Sequence, residues 1–151
     1  SAMLSMEMET KSVRPAAAGL DLDALNDAAA RKSLSDSAVR LFLNLAERWR
    51  LSVDQRCRLL GDISKPTYHN WQNGKVGVLS RDQMERISLL LGLHKGMALL
   101  FADDAAGLRW FKSANSEVVF GGRSPLERAL QGSVNDLYAV RRYVDAWRGV
   151  K

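Results

Sequence analysis

The chain has 151 residues, a formal net charge of +5 and a sequence pI of about 9.7. This length allows one ordinary hydrophobic core or two small cores that share a surface. The basic excess favours a polyanionic partner, although a modest excess also serves simply to keep a small domain soluble. The single cysteine, Cys57, excludes an intrachain disulfide framework, and we expect it to pack as a small apolar residue between helices.

Residues 1–34 are predicted to form an N-terminal arm or extension. Residues 1–20 are small, polar and alanine-rich without periodicity, whereas residues 21–30 have the composition of a short helix. Ser1-Ala2-Met3 resembles the remnant of a protease cleavage site before a native Met3, and the N-terminal segment has no signal-peptide pattern. No apolar run reaches the roughly 20 residues that cross a bilayer, so we expect a cytoplasmic protein.

A stronger amphipathic helix is predicted from about Ser35, with Ser35 or Asp36 as its N-cap. Its apolar residues recur at helical spacing and would face the core. They are Ala38, Leu41, Phe42, Leu45 and Trp49.

The segment 51–75 has the start and stop signals of two short helices joined by a tight turn. Ser52 with Gln55 forms a capping box, and Gly61 ends the first helix. Ser64 is a second N-cap, and Pro66 lies in the first helical turn, where its missing N–H loses no hydrogen bond.

The second short helix is predicted from about Lys65 to Gln72, with Gly74 after its end. Tyr68, Trp71 and the preceding Ile63 can pack against the first helix, which turns polar residues outward. Such residues can bond phosphates and base edges in the major groove of DNA. The predicted DNA contacts are Ser64, Lys65, Thr67, His69, Asn70, Asn73 and Lys75. The pattern alone leaves a plain structural role open, because short capped helices also occur in proteins that never bind DNA.

A further capping box, Ser80 with Gln83, begins a helix with a predicted end at Gly92. Another short helix is predicted from about His94 to Phe101. These elements would complete a helix-turn-helix domain over residues 35–101.

A second module is predicted over residues 102–151. It contains an apolar stripe at Leu108, Trp110 and Phe111, then a capped helix start at Ser124, Pro125 and Glu127, and a last helix from about Ser133 to Arg148. Period-two alternation is nearly absent from the sequence. The fold class should therefore be all-α.

Both halves resemble known families. Residues Leu51, Ser52, Cys57 and Gly61, together with Ser64-x-x-Thr67-Tyr68-x-x-Trp71-x-x-Gly74-Lys75, are similar to the Xre/Cro repressor helix-turn-helix. Two departures are Val53, where that family often has Gln, and a turn that is one residue longer than usual. Trp110, Asn115, Phe120-Gly121-Gly122-x-Ser124-Pro125-Leu126-Glu127, Gly132 and the terminal Gly149 resemble the toxin-binding domain of the Xre/MbcA/ParS antitoxins. The combined resemblance covers about residues 35–151.

This resemblance implies an antitoxin of a type II toxin-antitoxin system. Such a protein binds and neutralises a RES-domain toxin, an NAD-consuming or ADP-ribosyltransferase-like enzyme, and represses its own operon by binding operator DNA. We expect a homodimer within a toxin-antitoxin hetero-oligomer, with no cofactor and no membrane partner. The toxin contacts expected on this basis are Phe120, Gly121, Gly122, Arg123, Ser124, Pro125, Leu126, Arg141, Val144, Trp147, Arg148 and Lys151.

The last helix is expected to expose Arg141, Arg142 and Arg148, and with Lys151 its basic end could enter an anion-binding active site. The alternative is a solvated helix face. A stand-alone regulator whose C-terminal helices only dimerise is the rival function. An enzyme is disfavoured, because Cys57, His69 and His94 lack metal-site spacing and no nucleophile stands in a recognisable motif.

Overall fold

A computed structural model describes residues 27–149, and the all-α prediction is confirmed. This part of the chain forms seven helices and no strand. The helices are α1 (Ala28–Arg48), α2 (Val53–Leu59), α3 (Lys65–Gln72), α4 (Arg81–Leu100), α5 (Asp104–Lys112), α6 (Pro125–Ala129) and α7 (Val134–Trp147).

Helix α1 begins earlier than predicted. Its N-cap is Asp27, whose carboxylate accepts a hydrogen bond from the Ala29 N–H at 2.6 Å, so the predicted caps Ser35 and Asp36 are wrong. Ser35 is buried inside the helix, where its hydroxyl donates to the Arg31 carbonyl at 2.8 Å and accepts from the Leu79 N–H at 2.9 Å. A residue type that caps helices is used here to hold α1 to the segment before α4. Of the short helix predicted at 21–30, residues 28–30 form the first turn of α1, and residues 21–26 lie outside the described part.

Helix α4 is continuous, so the predicted end at Gly92 and the separate helix from His94 are wrong. A Cβ atom at Gly92 would lie 2.6 Å from Cζ of Arg141, and one at Gly96 would lie 2.8 Å from Cγ1 of Val144. Both partners belong to α7. The two glycines therefore permit close approach of α4 and α7, and the contact compensates for the roughly 1 kcal/mol that glycine costs within a helix.

One continuous core extends through both halves of the chain. Helix α4 packs against both α1 and α7, and α5 and α6 complete the C-terminal part. Among the most deeply buried side chains are Val39, Phe42, Leu59, Leu60, Tyr68, Ile87, Leu90, Leu93, Phe111, Leu137 and Val140. The predicted boundary near residue 102 falls between α4 and α5, but the core continues across it. The helix-turn-helix and the C-terminal helices thus form a single packed body.

Candidate DNA and toxin contact surfaces

The predicted capping of α2 and α3 is confirmed. The Ser52 hydroxyl accepts from the Gln55 N–H at 3.1 Å while the Gln55 side chain accepts from the Ser52 N–H at 2.9 Å. The Ser64 hydroxyl accepts from the Thr67 N–H at 3.2 Å. Between the helices, Gly61 and Asp62 have φ values of 89° and 63°. Two successive residues with left-handed backbone conformation thus lie in the turn between α2 and α3, which the sequence predicted to be one residue longer than in Xre/Cro repressors.

Helix α3 is anchored from beneath. Tyr68 and Trp71 are buried as predicted, and Cys57 is buried between the helices, where burial raises the pKa of its thiol. The buried Arg56 guanidinium donates to the Tyr68 hydroxyl at 2.8 Å and to the Glu47 carboxylate at 2.7 Å. Burial opposes the charge of Arg56, but these two hydrogen bonds outweigh it and raise its pKa above the ordinary value. Sequence reasoning missed Arg56, because its partners are set by the fold.

The predicted DNA contacts lie together on the outer side of α3 and on the segments that flank it. Thr67 is half-buried and the others are exposed: Ser64, Lys65, His69, Asn70, Asn73 and Lys75. The Lys65 ammonium lies 3.1 Å from the Asp54 carboxylate of α2, and the His69 ring hydrogen-bonds the Gln72 side chain at 3.0 Å. An exposed ion pair of this kind contributes little stability, so Lys65 can exchange Asp54 for another anion.

Five aromatic side chains pack together in the C-terminal half. This aromatic cluster consists of Phe101, Trp110, Phe120, Tyr143 and Trp147, with ring-centroid distances of 4.9 to 6.0 Å between contacting pairs. Phe120 is buried, whereas Trp147 is 51% exposed. The cluster therefore holds a large, stiff side chain at the surface on a packed base.

The Gly121-Gly122 turn borders this cluster. These glycines have φ values of 59° and 86°, a conformation that disfavours any side chain, and both are exposed. The Gly122 N–H donates to the Asn115 carbonyl at 2.9 Å, which closes the loop. Ser124 then caps α6 by accepting from the Glu127 N–H at 3.0 Å, as predicted. Hydrogen bonds from the Ser124 backbone and hydroxyl lower the pKa of Glu127.

The predicted toxin-contact residues fall into distinct classes of exposure. Gly121, Gly122, Arg123 and Trp147 are exposed; Phe120, Ser124, Pro125, Leu126 and Val144 are buried; Arg141 and Arg148 are half-buried. The buried members can shape the surface but offer little side chain to a partner. Lys151 lies outside the described residues.

The expected exposure of Arg141 and Arg148 is wrong. Their guanidinium groups pair with the Asp145 carboxylate at 3.2 and 3.3 Å and lie against the glycines of α4. Arg142 is exposed as expected and lies 6.0 Å from the Tyr138 ring centroid. Helical spacing alone did not reveal that α4 provides a glycine surface for the other two arginines.

Arg58 links the two halves of the chain, a role that sequence reasoning missed. From α2, its guanidinium donates to the Leu130 carbonyl at 3.0 Å, to the Gln131 carbonyl at 2.6 Å and to the Asp62 carboxylate at 2.7 Å. Gly132, with φ of 109°, leaves the space that this guanidinium occupies. The turn before α3 is thereby tied to the segment between α6 and α7.

Within residues 27–149, no helix combines the length and apolar character needed to cross a membrane. Across the same residues, no three histidine, cysteine or carboxylate side chains are grouped as a metal-binding set.

Comparison with known proteins identifies both halves. Residues 37–92 match the antitoxin Xre-like helix-turn-helix domain, and residues 98–149 match the antitoxin Xre/MbcA/ParS C-terminal toxin-binding domain. The chain is 38% identical over 120 residues to a Sinorhizobium fredii protein named uncharacterized protein y4oB, an alignment that covers 76% of this chain and 91% of the relative. With its helix-turn-helix and C-terminal helical domain, the chain belongs to the Xre/MbcA/ParS antitoxin family.

Proposed function

We propose that this antitoxin neutralises a RES-domain toxin that consumes NAD or ADP-ribosylates a target, and that it represses its own operon from the cytoplasm. The observation that carries the proposal is that each family domain exposes its own surface. The first is the polar side of α3, and the second is Trp147 on the aromatic cluster, to which Phe120 connects the exposed Gly121-Gly122 turn.

The α3 surface supports operon repression. Lys65 and Lys75 supply positive charge, and Asn70 has the amide group that pairs with the edge of an adenine. All three are exposed, while the opposite side of α3 is fixed by buried Tyr68 and Trp71. A helix held rigidly in this way can present its polar side to the major groove.

Homodimer formation is part of the proposal, because a short recognition helix reads only a half-site of an operator. The apolar stripes at Leu108–Phe111 and on the last helix are the sequence's candidates for a dimer interface, but they are largely used within the chain, since Phe111 and Val144 are buried. Three exposed apolar side chains remain near α1 and the start of α4: Leu34, Leu41 and Val78, at 48%, 52% and 49% exposure. They offer a surface for the second copy.

The toxin surface is centred on Trp147. A half-exposed tryptophan fixed by Trp110 and Tyr143 loses little conformational entropy on binding, which is typical of an interface anchor. The exposed Arg123 and the side-chain-free Gly121-Gly122 turn lie along the chain just before α6. A partner backbone can approach the two glycines more closely than it could approach larger residues.

The proposal is tested by expressing the toxin encoded in the neighbouring reading frame together with antitoxin variants. Trp147→Ala should fail to restore growth. Leu99→Ala is the control, because Leu99 is also an exposed apolar side chain, at 63%, but belongs neither to the aromatic cluster nor to the surfaces proposed for DNA and for the second copy. Full rescue by the Trp147 variant would refute the proposed toxin surface. If the purified protein captures no toxin and is only a homodimer, the stand-alone regulator is the better account.

A further inference from the structure

A cavity of about 550 Å³ lies where the end of α1, the last turns of α4 and helix α5 meet. Ligand sites in proteins commonly have volumes of about 300 to 1,000 Å³ and often lie at domain interfaces. The wall contains residues from the helix-turn-helix match and residues from the toxin-binding match. It is distinct from the α3 surface and includes no member of the aromatic cluster.

The inner wall of the cavity is largely apolar. Trp49 and Met97 line it and are 3% and 4% exposed, and Leu108 is half-buried beside them. Gly107 contributes bare backbone to the wall. The half-buried His94 ring packs edge-on against Trp49 at a centroid distance of 6.2 Å. Such a wall suits a flat apolar group, which can lie against the accessible parts of His94, Leu108 and Ala98.

The rim of the cavity is positively charged. Four cationic side chains line it, Arg48, Arg50, Arg109 and Lys112, against two carboxylates. Both carboxylates are already engaged, because Asp104 pairs with Arg48 at 3.1 Å and Asp103 caps α5 by accepting from the Ala106 N–H at 2.8 Å. Within residues 27–149, Arg50, Arg109 and Lys112 form no ion pair. An anion entering the cavity would therefore meet uncompensated positive charge.

Two further features concern residues of the same wall. Arg50 has a φ of 54° because it ends α1 in a Schellman cap, in which its N–H donates to the Glu47 carbonyl at 3.0 Å and the Leu51 N–H donates to the Ala46 carbonyl at 3.1 Å. Burial lowers the pKa of His94 below its ordinary value of 6.5. The imidazole is therefore mainly neutral at neutral pH and can both donate and accept a hydrogen bond.

We propose that this cavity binds a small organic anion with a flat apolar body, of the aromatic carboxylate or sulfonate class. The ring would lie against the half-buried His94 and Leu108, over the packed base of Trp49 and Met97, while Arg109 and Lys112 would meet the negative charge. Because the site joins the two family domains, its occupant would contact α1, α4 and α5 together. This inference stands independently of the toxin's identity.

The test uses 8-anilinonaphthalene-1-sulfonate, a fluorescent aromatic sulfonate, with the full-length protein. The expected result is saturable binding at one site per chain. Replacing both rim cations, Arg109→Ala with Lys112→Ala, should weaken the affinity by about tenfold or more, equivalent to about 1.4 kcal/mol. Ala98→Trp should abolish binding, since Ala98 is an exposed wall residue and a large side chain there fills the cavity without disturbing the core.

The matched control removes the same charge elsewhere. Arg40 and Arg81 are exposed and lie outside the cavity wall, so Arg40→Ala with Arg81→Ala should leave the affinity within about twofold of the unsubstituted protein. The uncharged N-phenyl-1-naphthylamine should bind more weakly than the sulfonate. Binding at several sites, equal loss in the control, or binding unaffected by Ala98→Trp would each overturn the proposal. Far-UV circular dichroism of every variant excludes unfolding as the cause of a loss.

Discussion

Replacing Gly96 by alanine should destabilise the protein, although alanine is the better helix former. A Cβ atom at this position would lie 2.8 Å from Cγ1 of Val144, which is fully buried on α7. Because Val144 has no free space to move into, the helices must separate or the side chain must leave its preferred rotamer. Overpacking of this kind costs about 1–3 kcal/mol, against a gain of about 1 kcal/mol from helix propensity.

The expected net effect is therefore a loss of about 1 kcal/mol in the free energy of unfolding. For a chain of this length, that loss lowers the melting temperature by about 2–4 °C. Urea denaturation monitored by far-UV circular dichroism measures both the midpoint and the slope. An unchanged slope would show that only stability has changed.

A double-mutant cycle separates the contact from the propensity. In a Val144→Ala background the Cγ1 atom is absent, so Gly96→Ala should become neutral or stabilising by about 1 kcal/mol. The coupling between the two substitutions is the quantity of interest. If Gly96→Ala stabilises the protein equally in both backgrounds, α4 and α7 are not in close contact at this position.

The other predictions concern hydrogen bonds, pH and salt. Arg58→Ala should destabilise the protein by about 1–3 kcal/mol in urea titrations, because the carbonyls just after α6 lose their donor; an unchanged midpoint would contradict this. The pKa of Glu127 is lower in the folded protein than in the unfolded chain, where it is 4.5. The Glu127 carboxylate therefore stabilises the fold at pH values above 4.5, and this contribution is lost as the pH falls through the pKa of the folded state. The melting temperatures of the unsubstituted protein and Glu127→Gln should therefore converge at acidic pH; a constant difference would refute this linkage. Lys65→Ala should weaken DNA binding across sequences and flatten its salt dependence, whereas Asn70→Ala should relax the preference at one base position. Mobility-shift titrations measure both effects. If the combined variant binds promoter DNA normally, α3 is not the recognition helix.

Local signals predicted much of the helical framework. The predicted serine N-caps Ser52, Ser64, Ser80 and Ser124 each begin a helix, because a cap satisfies backbone N–H groups within its own turn. Ser133 caps α7 at the predicted start of the last helix. The burial of Tyr68 and Trp71 on one side of α3 was also predictable from helical spacing. These features depend on residues close together in the chain.

The errors arose where a distant partner decides the outcome. Ser35 has the chemistry of a cap, but the Leu79 N–H, 44 positions away, occupies its hydroxyl inside α1. Gly92 has the chemistry of a helix end, but Arg141 lies over it. The C-terminal surface was anticipated only in part: the exposed position of Trp147 suits an anchor, whereas the burial of Leu126 depends on tertiary packing. The pairing of Arg148 with Asp145, three positions apart, was a local signal that the prediction did not use.

The central claim is that DNA and toxin are bound through separable surfaces on one body, and a crossed binding measurement tests it most directly. Operator DNA and purified toxin are each titrated with two variants, Trp147→Ala and the combined Lys65→Ala with Asn70→Ala. The account predicts that the first variant loses toxin affinity and keeps DNA affinity, and that the second does the reverse. Loss of both affinities in either folded variant, or retention of toxin affinity by Trp147→Ala, would contradict it.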